Sequence, residues 1–450
     1  MTATSSPATG SGSISYYGIL KAGAVALPMN VLNKGSEIAY FLGDSDAQVL
    51  ITAAEVAVEG AKGAAEAGTP SVYVVGDGDD PDQGRAYAEL QTERATPAPY
   101  SQRDPNDTAV LLYTSGTTGK PKGVQLTHFQ LFMNASEHAA VFEMSERTVV
   151  IAVMPLFHTL GLSGILNPTV RCGGAVVLMR QFDPEQVLRA VERHQATVLH
   201  GVPTMYHALL DHYDPRHHDT SSLGLCGSAG APIPAELLDR IEQEFGVVIL
   251  EGYGLTESGP AATFNRRGQR KPYSVGLPLW GVEVAVWGKD DEPVPSGPEH
   301  VGELVIRGHC TMRGYLNKPE ATAEAFAGGW LHSGDLGYRD EDGFFFIVDR
   351  KKDVIIRGGY NVYPREVEEV LYTHPAVGEV AVVGVPDPRL GEEVKAFLTL
   401  RDGQSATERE IIDFAKERVA AYKYPRSVKI VAELPKGPTG KILKRELIDK

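Results

Sequence analysis

The feature that most constrains the fold is an alternation beginning near Thr108. The short apolar runs "TVVIAVMPL", "GGAVVLM" and "ATVLHGVP" suit strands buried on both faces. Amphipathic segments separate them. In "FDPEQVLRAVERHQ", Asp183 suits an N-cap and Pro184 the first turn, while Val187, Leu188 and Val191 share a face. "TMYHALLDHY" reads as a second helix. In "PAELLDRIEQEFG", Leu237, Leu238, Ile241 and Phe245 recur at helical spacing, and Gly246 supplies the stop. Strand–helix alternation of this kind predicts an α/β domain with much parallel sheet.

Other stretches read differently. Upstream, "ISYYGILKAGAVALPMN" suggests a helix end, a glycine turn and a strand, and "GSEIAYFLGDSDAQVLIT" a helix, turn and strand. The Pro-, Gly- and Asp-rich stretch from Gly76 to Asp107 reads as loop, with a helical turn at "YAEL". From Val275 short strands and turns dominate, as in a β-rich subdomain. Beyond Asp349, "PREVEEVLYTHP", "EVAVVGVPD", "EEVKAFLTL" and "REIIDFAKERVA" give helix, strand, strand, helix. A unit of about a hundred residues can fold alone. The expected organisation is therefore a large domain over 1–349, a hinge at 350–353 in "DRKKD" and a small α+β domain over 354–450. The opening "MTATSSPATGSGS" has neither a basic start nor an apolar stretch, so residues 1–13 read as a disordered tail rather than a signal peptide.

Composition narrows the function. Forty-three basic against 58 acidic residues give a formal charge of −15, which argues against nucleic acid or an anionic membrane as the main partner. No run of about 18 apolar residues occurs, so no membrane span is expected. Cys172, Cys226 and Cys310 lie far apart with no CxxC pair, which disfavours a disulfide framework or a zinc site and fits a cytoplasmic protein.

"LLYTSGTTGKPKGVQLTH" concentrates glycines, hydroxyls and lysines after an apolar strand. Gly116 and Gly119 are only three apart and Pro121 follows Lys120, so this is no Walker loop. Backbone N–H groups, Thr and Ser hydroxyls and Lys are nevertheless the donors that a phosphate needs.

"YTSGTTGKPKG" closely resembles the phosphate loop of the adenylate-forming superfamily, which includes acyl-CoA synthetases, firefly luciferase and peptide-synthetase adenylation domains. "ILKAGAVALPMN", "GSAGAPIP", "EGYGLTES", "HSGDLGYRDEDGFFFIVDRKKDVIIRGGYNVYPREVEEVL" and "PKGPTGKILKREL" follow in the superfamily's order, from Ile19 to Leu447. The resemblance implies ATP, Mg2+ and coenzyme A, with small-molecule substrates as partners, and leaves a homodimer open. It also implies two arrangements of a mobile small domain, one for each half-reaction.

The resemblance further assigns roles. Thr114, Ser115, Gly116, Thr117, Thr118, Gly119, Lys120 and Lys122 would clasp the phosphates. Gly230, Ala231 and Pro232 would leave a slot for adenine, walled by Tyr253 and Gly254. Asp335 and Arg350 would meet the ribose. Thr256 would contact the α-phosphate, and Glu257 would hold Mg2+, a hard cation suited to carboxylate oxygen. Lys441 would reach the acyl carboxylate and α-phosphate, where a point cation offsets charge on reacting oxygens. Lys352 would be the hinge, and Gly358 and Gly359 would line the channel for coenzyme A.

The segment "MPLFHTLGL" lacks the acid with which amino-acid-activating relatives hold the substrate amine. "GYGLTE" lacks the Trp that shortens the pocket of acetate-activating ones. The expected substrate is thus a medium- or long-chain fatty acid, with His158, Val202, Pro203 and Thr204 in the pocket wall. An aryl acid of the coumarate type is the alternative, and a non-catalytic nucleotide- or acyl-binding relative a third reading. The resemblance also implies strands and a helix before "GILKAGAVALPMN". Where a Ser/Gly-rich stretch stands instead, exposed apolar surface or an unpaired strand edge is expected.

Overall fold

The computed structural model describes residues 1–5, 10–76, 82–91, 100–114 and 120–448. Among these described residues, four sheets organise the fold. The alternating region forms a seven-stranded sheet. Within it, Ala175–Leu178, Val149–Ala152, Val198–Gly201, Leu225–Ser228 and Val248–Tyr253 run parallel in that spatial order. The helices appear where the periodicity predicts. Pro184–His194 is capped by the Asp183 carboxylate, which accepts from the Gln186 N–H, and it buries Val187, Leu188 and Val191. Ala235–Phe245 buries its four predicted apolar residues and stops at Gly246 with φ +67°.

An eight-stranded sheet packs the earlier part of the chain. Here the structure corrects the expected tail. Thr2–Ser5 is a strand lying between Ala26–Pro28 and Val49–Ala53 and parallel to both, and a helix begins at Gly10. Backbone hydrogen bonds need no apolar side chain, so a Ser/Thr-rich segment can occupy a slot whose neighbours supply the ladder. That strand is therefore paired on both sides. On the helix Gly10–Lys21, Ser15, Tyr16 and Ile19 are buried, and Ile14 faces solvent.

The β-rich region is a four-stranded antiparallel sheet of Val282–Trp287, Gly302–Gly308, Leu331–Arg339 and Phe345–Arg350. The last sheet pairs Gly391–Leu400 with Val377–Asp387 and Ser427–Ile430 over its own apolar cluster, which includes Val367, Leu371 and Ile411. These residues pack separately from the main core.

Candidate active site

The chemistry-bearing loops leave the carboxyl ends of neighbouring parallel strands, where ligands of open α/β sheets bind. Leu225–Ser228 runs into Ala229–Pro232, and Val248–Tyr253 into Gly254–Ser258. Gly230 turns with φ +83°, and a side chain there would meet Val202 Cγ1 at 3.7 Å. Ala231 is half-buried and Pro232 exposed. Gly254 has a stricter reason: a Cβ would lie 2.1 Å from the Pro260 carbonyl oxygen.

Asp335 and Arg350 are cross-strand partners in the antiparallel sheet. Arg350 Nε lies 3.1 Å from Asp335 Oδ1, while the Tyr253 hydroxyl donates to Asp335 Oδ2 at 2.8 Å. Burial, and then the Asp335 charge, hold the Tyr253 hydroxyl firmly protonated. Three residues far apart in sequence thus meet around one buried carboxylate.

Thr256 and Glu257 share the short turn Thr256–Ser258, braced by the Leu255 N–H donating to Ser258 Oγ at 2.8 Å. The Tyr315 hydroxyl donates to Glu257 Oε1 at 2.9 Å, and the Met312 N–H to the Glu257 carbonyl at 2.7 Å. Lys122 Nζ sits 4.8 Å from the Tyr315 ring centre. Tyr315 therefore links the glutamate to the neck of the phosphate-loop candidate. Sequence reasoning missed it, because a tyrosine in "RGYLN" carries no local mark of its partner. Thr114 faces Lys122 across that neck. Lys120 is exposed beside the Tyr40 ring, whose hydroxyl donates to the Pro121 carbonyl. Ser115, Gly116, Thr117, Thr118 and Gly119 lie outside the described residues.

Lys441 arrives from the other end of the chain on a tight hairpin. Gly437 N–H donates to the Lys441 carbonyl at 2.8 Å, and Gly440 N–H to that of Gly437 at 2.9 Å. Thr204 Oγ1 donates to the Gly440 carbonyl at 2.9 Å. A Cβ on Gly440, whose φ is +78°, would lie 3.0 Å from that hydroxyl oxygen and 3.2 Å from Val202 Cγ2. The hairpin tip is thus seated on Val202 and Thr204, two residues expected in the acyl pocket. Pro203 lines the adjoining groove with Glu236, Tyr372 and Arg401. Arg401 closes that groove with a 3.1 Å contact to Glu236, and the Arg365 N–H donates to Asp349 Oδ2 at 2.9 Å.

Lys441 is exposed, with Arg350, Asp335 and Asp353 as its charged neighbours. The surrounding protein, aided by the Arg350 guanidinium, pushes its ammonium from 10.5 down to about 8, against the pull of Asp335 and Asp353. Burial, and then the charge of Lys441, push His158 down to about 4, so its imidazole is neutral near pH 7. The structure accordingly brings His158, Thr204, Tyr253, Asp335, Arg350 and Lys441 together. It does not bring in Gly358 and Gly359, which sit in an exposed turn where the Gly358 N–H donates to the Leu390 carbonyl at 2.8 Å. Among the described residues, no hydrogen bond joins that turn to the Lys441 group. Lys352 is exposed in a turn closed by Asp353 N–H donating to the Arg350 carbonyl at 2.9 Å.

Comparisons with known proteins place the chain in a family. The chain is 38% identical over 465 residues to a long-chain-fatty-acid–CoA ligase of Bacillus subtilis (strain 168), covering 97% of this chain and 83% of the relative. It is 40% identical over 443 residues to a feruloyl-CoA synthase of an Amycolatopsis species, covering 95% and 84%. A crystal structure of an anthranilate CoA ligase in complex with anthranoyl-AMP superposes with a TM-score of 0.92 at 32% identity, covering 99% of this chain and 86% of that one. ATP-bound MatB from Rhodopseudomonas palustris superposes with a TM-score of 0.91 at 32% identity, covering 100% and 88%. The model of the AMP-binding enzyme family matches residues 7–316, and that of its C-terminal domain matches residues 366–441. This chain belongs to the AMP-binding enzyme family.

Proposed function

We propose that the protein is an ATP-dependent, AMP-forming acid–CoA ligase. The observation that carries this reading is the seating of Gly440 on Thr204, which sets Lys441 beside His158, Asp335 and Arg350. In the first half-reaction a carboxylate oxygen attacks the α-phosphorus of ATP, and the bond to the bridging oxygen breaks to release pyrophosphate. Lys441 binds the acid's carboxylate and the α-phosphate oxygens, lowering the repulsion between two anions. Thr256 binds the α-phosphate, and the phosphate loop with Lys120 and Lys122 holds the others. Asp335 accepts from the ribose hydroxyls, while Gly230, Ala231, Pro232 and Tyr253 enclose the adenine.

Glu257 fits a Mg2+ held mainly by substrate phosphates. Among the described residues no group of three potential ligands forms a metal cage, whereas Mg2+ commonly takes one or two carboxylates plus phosphate oxygens. The ion supplies charge neutralisation on the phosphates. In the second half-reaction the thiol of coenzyme A loses its proton and attacks the acyl carbon, and AMP leaves. Rotation at Lys352 would carry Gly358 and Gly359 from their present exposed turn to the thiol channel. A cytoplasmic site of action completes the reading.

For the acid, a medium- or long-chain fatty acid is supported by similarity to the Bacillus ligase, and an aryl acid by similarity to the feruloyl-CoA synthase. Pyrophosphate release with straight-chain acids of increasing length and with cinnamate-type acids, each with ATP and CoA, tests the proposal. Release and thioester formation with one class support it. Absence of both with every acid refutes it in favour of a binding protein.

A further inference from the structure

The helix Pro364–Tyr372 opens on Tyr363, whose side chain makes no capping hydrogen bond. The first N–H groups of a helix have no partner inside it. Here an acceptor comes from outside the helix: the Arg365 N–H donates to Asp349 Oδ2 at 2.9 Å. Asp349 stands 16 positions earlier, on the strand Phe345–Arg350 and on the other side of Lys352. Its carboxylate is buried, at 8% exposure, and its other oxygen accepts from the Arg350 N–H at 2.8 Å. The Arg365 guanidinium adds a second tie to the same strand by donating to the Ile347 carbonyl.

The capped helix also carries the segment that bears Lys441. Val367 and Leu371 anchor it in the apolar cluster of the C-terminal sheet, which packs separately from the main core. On its other face Glu368 Oε1 lies 2.7 Å from Lys444 Nζ and accepts from the Val382 N–H at 2.7 Å. Lys444 follows Lys441 by one helical turn's worth of chain, and the Leu443 N–H closes the hairpin on the Pro435 carbonyl at 2.8 Å. A continuous set of contacts therefore runs from Asp349 through the helix and Glu368 to Lys444 and the Lys441 hairpin. A backbone rotation at Lys352 would carry the helix away while Asp349 stayed on its strand. A contact made in one of two arrangements and lost in the other is what biases the balance between them.

We propose that Asp349 is a positioning residue for adenylation: its carboxylate caps the helix Pro364–Tyr372 across the hinge and clasps the C-terminal unit with Lys441 turned toward the acid and ATP. This inference rests on the acid–CoA ligase reading with its hinge at Lys352. Loss of an N-cap acceptor shifts a folding or docking equilibrium by about fivefold. That is enough to favour the clasped arrangement and small enough to let it open for the second half-reaction.

The test measures both half-reactions in the full chain: pyrophosphate release from acid and ATP, and conversion of supplied acyl-adenylate to thioester with coenzyme A. Asp349→Ala should lower the first about fivefold and leave the second as fast as before or faster. Asp349→Asn should recover most of the lost rate, because an Asn carbonyl caps a helix nearly as well as an Asp carboxylate. Should Asp349→Ala not fold, Asp349→Ser takes its place, since its hydroxyl is too short to reach the Arg365 N–H. Unchanged adenylation in the Ala or Ser variant overturns the inference. So does an equal loss of both half-reactions, which would mean that Asp349 only supports the fold or the neighbouring Arg350, and so does a failure of Asn to recover what Ala loses. Each of these leaves the ligase reading intact, whereas no adenylation with any acid in the unsubstituted protein overturns both.

Discussion

If Lys441 acts as a cation in adenylation, the rate must follow its protonation. The surrounding protein holds its ammonium at about 8, against 10.5 for an ordinary lysine. With a pKa near 8, roughly nine-tenths of the enzyme is protonated at about pH 7 and roughly one-tenth at about pH 9. The sign is set by the charged form being the active one, so adenylation falls as pH rises through about 8. Between those two conditions kcat/KM for ATP, which reports the free enzyme, should drop about tenfold. The limb in kcat should lie higher, because bound phosphates favour the ammonium. Pyrophosphate release follows the first half-reaction, and conversion of supplied acyl-adenylate to thioester follows the second. Lys441→Ala should abolish the first and spare the second. Lys441→Arg, charged to beyond pH ~12, should remove the alkaline limb of whatever adenylation it retains. Adenylation that stays level from about pH 7 to pH 9 in the unsubstituted enzyme would refute the argument, as would equal loss of both half-reactions in Lys441→Ala.

Other predictions bear on the same architecture. Glu257→Gln should slow adenylation and raise the Mg2+ needed for half-maximal rate, and Tyr315→Phe, which frees one glutamate oxygen, should do the same by about tenfold; an unchanged Mg2+ titration in both would remove Glu257 from the metal site. Thr204→Val removes a hydrogen bond worth about 1 kcal/mol from the seated hairpin, so adenylation should fall roughly fivefold, with recovery in Thr204→Ser; equal rates in the three proteins would mean that the seating does not matter. Lys352→Pro should impair thioester formation more than adenylation by restricting the hinge backbone, and wild-type rates for both would exclude Lys352 as the hinge. Gly254→Ala should lower the melting temperature as well as adenylation, because the Cβ meets a backbone carbonyl that cannot swing away; an unshifted melt would show that the turn is more pliant than its geometry indicates.

Local chemistry made much of this molecule legible in one dimension. The helices at Pro184–His194 and Ala235–Phe245 were visible because caps, stops and apolar spacing all lie within a dozen neighbouring positions. The parallel sheet followed from strand–helix alternation, and the long motifs marked the residues proposed to surround the nucleotide. Three things were decided only in space. Thr2–Ser5 is a strand because Ala26–Pro28 and Val49–Ala53 offer it ladders on both sides, a property of its neighbours rather than of its own Ser/Thr-rich composition. Tyr315 stands by Glu257 because Gly314–Tyr315 pairs with Lys122–Thr127, almost two hundred positions earlier in the chain. His138 and His200 both pack against Phe142 because the helix His128–Val141, which ends at Phe142, lies beside the strand Val198–Gly201, distant in sequence. Spacing along the chain encodes which residues share a face of one element. Which elements then face each other depends on the packing of the whole core, and so the order of motifs could disclose Lys441 but not the Thr204 hydroxyl that seats its hairpin.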